Sequence, residues 1–218
     1  MQTRSMRSSP GKAIQRVITR ERLDAPKRKD QIVQVVLKLV AERGADAVST
    51  QHIADLIGFT QPAVFRHFPT KEDLWSAVLD WLDNQLEAVR ASARATAPDQ
   101  GLGFLQRTYF GHIALIERHP GLAKVVMSDH IRQQFPNLNG RFAALYRDYE
   151  TEVRKALGVA VKTAQVSPRV DQSAATIMFF CAIQGLGFQF SIARLRPSIR
   201  KDASRIFRLF VRALKADE

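Results

Sequence analysis

An all-α fold of about nine helices follows from three features of the 218-residue sequence. Apolar residues recur at three- and four-residue spacing along most of the chain, the pattern of helices with one buried face. No run alternates apolar and polar residues over strand length, so no sheet is expected. Breaks fall between the periodic segments, at Pro98-Asp99, His119-Pro120, Pro136-Asn137, Ser167-Pro168 and Pro197-Ser198, where proline punctuates helices.

Taken in order, residues 1–26 are polar and basic and read as a flexible tail. Ile32, Val35, Val36, Leu39 and Val40 then share one face of a first helix, which Gly44 ends, with Arg43 suiting the helix dipole. A second helix runs from Ser49 or Thr50 to Ile57, burying Ile53, Ala54 and Ile57, and Gly58 supplies a left-handed stop. Thr60 caps a short third helix through Phe68, with Pro62 tolerated in its first turn and Pro69 stopping it. Thr70 with Asp73 forms a near capping box for a fourth helix, which keeps Leu74, Val78, Leu82 and Leu86 on one face. Further helices are expected at about 101–118, 120–133, 138–164, 168–194 and 199–215. The organisation is a tail over 1–26, a helix-turn-helix unit over 27–75 and a larger helical domain over 76–218.

Composition narrows the function classes. With 45% hydrophobic and 25% charged residues the chain reads as globular. The most apolar run, Ala174 to Ile183, is too short for a membrane span and is followed by Gln184. The basic N-terminus lacks the apolar core of a secretory signal, so a cytoplasmic location is expected. The single cysteine, Cys181, has no disulfide partner within the chain and reads as a small buried residue. His112 and His119 share a face without a third ligand, so no metal site is assigned. Neither a nucleophile elbow nor His-Glu-x-x-His occurs, and no catalytic set or cofactor is assigned.

A net charge of +12 suggests an anionic partner. Residues 1–30 carry nine Lys/Arg against three Asp/Glu, whereas residues 31–75 carry four against five. Arg16, Arg20, Arg22, Lys27, Arg28 and Lys29 therefore supply much of any phosphate attraction near the helix-turn-helix. A second basic stripe runs through Lys201, Arg205, Arg208, Arg212 and Lys215.

The stretch from Ile32 to Leu82 carries function. An eight-residue helix, a tight Gly58-Phe59-Thr60 turn and a short helix make a helix-turn-helix, with Ile53, Phe59, Val64 and Phe68 as its small core. The Ala41-Glu42-Arg43-Gly44 helix end, Ile53-Ala54, Ile57-Gly58 and Thr60-Gln61-Pro62-Ala63-Val64-Phe65-Arg66-His67-Phe68, on to Lys71, resemble the DNA-binding domain of the TetR (tetracycline-repressor) family. The resemblance covers about 50 residues and is looser after Leu86.

The resemblance implies a homodimeric transcription regulator on double-stranded DNA carrying an inverted-repeat operator. Gln61, Pro62 and Ala63 match the base-reading turn, and Gln61 has the amide pair that recognises adenine. Gln51 matches a position that sometimes reaches a base, while Thr50, Thr60, Phe65, His67 and Lys71 match phosphate-contacting positions. Phe65 stands where the family usually has tyrosine, which removes a hydroxyl contact, and Arg66 either replaces that contact or reads guanine.

For the larger domain the resemblance implies a chamber for a small apolar or amphipathic effector. Phe104, Tyr109, His112, Met127, Tyr146, Met178 and Gln184 are its candidate lining. A cavity of ~300 Å³ or more is expected among the 101–194 helices. The last two helices are expected to pair with their two-fold mates through Phe179, Ile183, Phe207, Phe210 and Leu214. The leading reading is a repressor released by its effector. The alternative is a chromosome-organising or nucleoid-occlusion-type DNA-binding protein that engages a division protein instead of a small ligand.

Overall fold

The computed structural model describes residues 24–192 and 198–215. Among them are α1 (Ala25–Arg43), α2 (Thr50–Ile57), α3 (Gln61–His67), α4 (Lys71–Thr96), α5 (Leu102–Arg118), α6 (Gly121–Val126), α7 (Asp129–Gln134), α8 (Asn139–Lys162), α9 (Gln172–Ile192) and α10 (Arg200–Lys215), with no strand. The basic segment before Asp24 lies outside the described residues.

Local chemistry sets most boundaries. Asp24 caps α1 by accepting from the Lys27 amide at 3.2 Å, and Pro26 occupies the first turn. Residues 24–26 thus belong to the helix rather than to the tail, because a capped start with proline inside it is a stable helix entry. Ser49 caps α2 by accepting from the His52 amide, and Gly58 ends it at φ 69°, a conformation a side chain disfavours. The capping box of α4 is complete, with the Asp73 amide donating to Thr70 Oγ1 and the Thr70 amide donating to Asp73 Oδ2, each at 3.0 Å. From there α4 runs unbroken for 26 residues through the expected boundary after residue 75.

Two expected helices differ. The 120–133 segment is two helices, α6 and α7, separated at Met127-Ser128. Ser128 restarts the chain as an N-cap, accepting from the Ile131 amide at 3.2 Å. The helix expected from residue 168 begins at Gln172, because the Asp171 carboxylate accepts from the Ser173 and Ala174 amides at 2.9 and 3.0 Å.

Helix α5 is the central strut, burying Phe104, Leu105, Tyr109, Ile113, Leu115 and Ile116 and packing against α4, α8, α9 and α10. Helix α9 is apolar on all sides; its Gln172–Ser191 segment has a mean hydropathy of 1.4, enough by length and composition to cross a membrane. It packs on α5, α6, α8 and α10, burying Ala175, Thr176, Phe179, Phe180, Ile183 and Leu186. Its other side leaves Ile177, Met178, Cys181 and Phe188 exposed, so Cys181 is a surface residue, not a buried one.

The same geometry corrects the expected pairing residues. Phe179, Ile183, Phe207, Phe210 and Leu214 are at most 6% exposed within one protomer, where they fill its own core. The large apolar groups left open on α9 and α10 are Ile177, Met178, Phe188 and Leu209. The stripe Lys201, Arg205, Arg208, Arg212 and Lys215 is exposed on α10, opposite Ala203, Phe207, Phe210 and Leu214.

Candidate nucleic-acid interface and adjoining chamber

Helix α2 packs on α1 and α3 packs on α2, with Ile53, Ala54, Ile57 and Val64 all buried. The turn between α2 and α3 is closed by the Phe59 amide donating to the Ala54 carbonyl at 2.9 Å. With this small core holding α3 rigidly, Pro62, Phe65 and Arg66 are exposed, Ala63 is half-buried and Lys71 is exposed just beyond. Gln61 is half-buried, and its Nε2 donates to Thr50 Oγ1 at 3.0 Å. Thr50 is 9% exposed, so this bond anchors the foot of α3 to α2. Gln51 is exposed, with its amide tied to Asp55 at 2.7 Å. Thr60 occupies the N-cap position of α3 but makes no side-chain cap bond, contrary to the expected capping role. Its exposed hydroxyl therefore has no task in holding the helix.

A compact basic cluster joins the start of α1 to the end of α3. The Arg28 guanidinium lies 4.4 Å from the Phe59 ring centroid and donates to Gln31, while the Lys29 ammonium lies 5.7 Å from the Phe68 ring centroid. Burial holds His67 below its ordinary pKa, and the charges of Lys29, Arg28 and Arg66 push it the same way. The imidazole is thus kept neutral by neighbours that themselves favour an anion. Charge alone points to Arg28; Lys29 belongs with it, because a helical first turn puts both beside α3.

An apolar cavity of about 110 Å³ lies in the larger domain, bounded by α4, α5, α6, α8 and α9. Four of the expected lining residues, His112, Met127, Tyr146 and Gln184, border it. Three do not: Phe104 and Tyr109 are buried in the core, and Met178 is half exposed on the outer side of α9. Tyr109 instead meets Phe110, Phe179 and Phe207 in an aromatic cluster. Leu82, Leu86, Tyr149 and Phe180 also line the cavity. The volume falls below the expected ~300 Å³ because aromatic rings occupy the space. Phe180 packs at 4.9 Å from Tyr146 and 5.0 Å from Tyr149, centroid to centroid.

The chamber adjoins the helix-turn-helix, the expected reading head, through two elements. Leu82 and Leu86 come from α4, whose first turns bury Leu74, Trp75, Val78 and Leu79. Leu122, Ala123, Val126 and Met127 come from α6 and the residue after it, and α6 lies directly on α1. The approach is close enough that a Cβ on Gly121 would stand 2.1 Å from the Leu37 carbonyl oxygen. Beside it the Lys124 ammonium donates to the Ala41 carbonyl at 2.6 Å, a cation at the C-terminal turn of α1.

Residues 32–78, which span α1 from its first buried residue through the capping box into α4, match the family model of bacterial regulatory proteins, tetR family. The match covers the helix-turn-helix and identifies it as a TetR-family DNA-binding domain. Among curated relatives, the nucleoid occlusion factor SlmA of Marinobacter nauticus is 27% identical over 134 residues, covering 61% of this chain and 67% of that protein. Solved structures share the TetR-family fold over most of the chain. The ketosteroid transcriptional regulator KstR2 of Mycobacterium tuberculosis gives a TM-score of 0.72 at 15% identity, covering 93% of this chain and 100% of that one. FadR from Bacillus subtilis in complex with stearoyl-CoA gives 0.68 at 18% identity, covering 84% and 97%. The chamber residues that sequence reading missed, Tyr149 and Phe180 above all, sit on α8 and α9, where this chain carries many apolar groups and only packing separates lining from core.

Proposed function

We propose that this TetR-family regulator is a homodimeric repressor that binds an inverted-repeat operator and releases it when a small apolar or amphipathic ligand fills the chamber. One observation carries the reading: the helix lining the cavity with Leu122, Ala123 and Val126 is the helix that grips α1 through Gly121 and Lys124. A ligand that displaces α6 must move α1, and α1 carries the reading head. The energetic demand is modest. A ligand preferring the DNA-free form ~100-fold shifts the equilibrium by about 2.7 kcal/mol, within ordinary coupling energies. FadR of Bacillus subtilis, which shares the fold, was solved with stearoyl-CoA, an amphipathic ligand far larger than this chamber holds.

Base reading falls to Gln61, with Pro62 and Ala63 shaping the approach. Thr60, Arg66, His67, Lys71, Gln51 and Arg28 hold the neighbouring backbone, while Thr50 positions Gln61 and Phe65 offers only an apolar contact. Dimerisation uses Ile177, Met178, Phe188 and Leu209, the large apolar groups that α9 and α10 leave in water. The working location is the cytoplasm, on the nucleoid when bound.

The test is operator binding by fluorescence anisotropy during titration with apolar metabolites. Release by a compound that fails to act on a Leu86→Trp variant, whose cavity is filled, supports the reading. Operator binding that no such compound weakens would reject it. The SlmA relatives favour a second reading, a nucleoid-occlusion-type protein that engages a division protein. Mapping chromosomal sites separates the two: a few near one operon for the repressor, dozens spread widely for the alternative.

A further inference from the structure

His112 and Tyr149 interrupt the mostly apolar lining of the cavity, and an unpartnered charge lies behind them. On α4 the buried series Leu82, Leu86 continues one turn further into Arg90, which is 6% exposed. Its outward nitrogens are partnered, Nε donating to Glu87 at 3.0 Å and Nη2 lying 2.9 Å from the same carboxylate. Its Nη1 is buried and has no acceptor among the described residues. The guanidinium stands 5.5 Å from the Tyr149 ring centroid, and Tyr149 is a wall of the cavity. Next to it, His112 Nδ1 and Tyr149 OH lie 3.3 Å apart. One turn before His112 on α5, the fully buried Thr108 hydroxyl also lacks a partner.

Of these groups His112 and Tyr149 line the cavity, while Arg90 and Thr108 stand outside its lining, Arg90 against the Tyr149 ring. Burial holds His112 down to about 4, with the Arg90 charge acting in the same direction, so the imidazole adds no second cation at neutral pH. Burial holds the Tyr149 phenol protonated, as a donor. A buried guanidinium nitrogen without an acceptor is costly, and an anionic oxygen is the partner that relieves it most.

We propose that the effector is a short monocarboxylic acid, seated with its carboxylate toward Arg90, His112 and Tyr149 and its carbon chain against Leu82, Leu86 and Phe180. This deepens, and rests on, the reading of the chamber as an effector site. Size sets the chain length. A cavity of about 110 Å³ is smaller than the ~150 Å³ that accepts the six carbons of a benzene ring, which suits an acid of about three to four carbons. Tyr146 and Met127, each more than a third exposed, stand on the lining and mark the side open to entry. An acyl thioester entering tail-first would leave Arg90 Nη1 without an acceptor, which sets it apart from the free acid.

The test is calorimetric titration of the full chain with butanoate, butanamide, butanol and butanoyl-CoA at pH 7.5. The wild type is expected to prefer butanoate over butanamide by about tenfold to a hundredfold, the usual worth of a hydrogen bond to a charged group. Arg90→Met should abolish that preference while butanol binding persists, and Leu86→Trp should abolish binding of all four. Circular dichroism checks that Arg90→Met folds. If it does not, Arg90→Lys serves, and it should keep the sign of the preference at reduced size because one point charge replaces the planar fork. Equal binding of acid, amide and alcohol, a preference untouched in both Arg90 variants, or binding of the thioester alone would overturn the carboxylate assignment and leave an apolar effector site standing. Failure of all four to bind would remove this assignment together with the effector reading of the cavity.

Discussion

The reading head and the α9–α10 pair use apolar residues in opposite ways. In α2 every fully buried apolar group, Ile53, Ala54 and Ile57, lies on one side, and the exposed remainder is polar. In α9 Phe179 and Ile183 are buried while Ile177 and Phe188 are about half exposed, and all four are equally hydrophobic. Where a helix has one apolar face, that face is core and the other face is free to work. Where it has two, one serves the protomer and the other a neighbour, and periodicity assigns neither.

The sharpest way to break this comparison is to place a charge on each side. Phe210→Asp, at a position 5% exposed, should cost about 3–5 kcal/mol and give unfolded or insoluble chains rather than monomers. Leu209→Asp, one residue away at 62% exposed, should leave thermal unfolding of the protomer nearly intact and abolish dimers in sedimentation. Folded monomers from Phe210→Asp would mean that the two faces have been assigned the wrong way round.

Acid should separate the two regions next. His112 titrates at about 4 in the folded chain against an ordinary value of 6.5, so folding favours its neutral form. Its contribution is complete above about pH 6.5, declines as pH falls and is gone below about 4, a loss of about 3 kcal/mol. His67 is lowered as well, but beside phosphate its cationic form is favoured, so operator affinity should rise as pH falls below its ordinary range. Urea titrations should show His112→Gln flattening the stability profile, and anisotropy should show His67→Gln flattening the affinity profile. If both variants alter the same curve, the regions are not independent.

At the seam between the regions, Gly121→Ala forces a methyl group onto the Leu37 carbonyl and should cost about 1–3 kcal/mol. The distinctive readout is effector response: operator affinity should become less sensitive to ligand once α6 no longer seats on α1. The smallest effects belong to base reading. Gln61→Ala should lose about 1–3 kcal/mol of discrimination at one base pair per half-site. Thr50→Val, which removes the acceptor of the Gln61 amide, should weaken preference at that same base pair by about 1 kcal/mol. A uniform loss across all sequences in either variant would make Gln61 a positioning residue only.

What sequence made legible follows the same division. Caps and stops at Ser49, Gly58, Thr70 and Asp73 are short-range chemistry, and α2 and the start of α4 fall where those residues dictate. The Met127-Ser128 break was illegible because serine mid-segment does not by itself interrupt a helical pattern; it needed its capping bond to Ile131. Thr60 misled for the converse reason, having the right residue type and backbone but no cap bond. Arg90 was invisible as a site residue because one arginine among surface charges on α4 looks solvated, and only burial separates it from Arg94. The expected interface residues on α9 and α10 failed because hydrophobicity ranks residues without saying which side of a helix meets the protomer's own core.

The Lys124 contact sets how motion in the chamber would reach the DNA. The last carbonyls of any helix lack partners within it, and in α1 one of them, Ala41, is supplied by an ammonium from a different helix. The final turn of α1 is thus partly a property of α6. Displacing α6 by a fraction of an ångström frees that carbonyl to water and frays the turn, without bending α1 anywhere else. Amide hydrogen exchange would register the change as faster exchange at Gly44, whose N–H closes the same turn on Val40, while the amides around Ile32 and Val36 keep their protection.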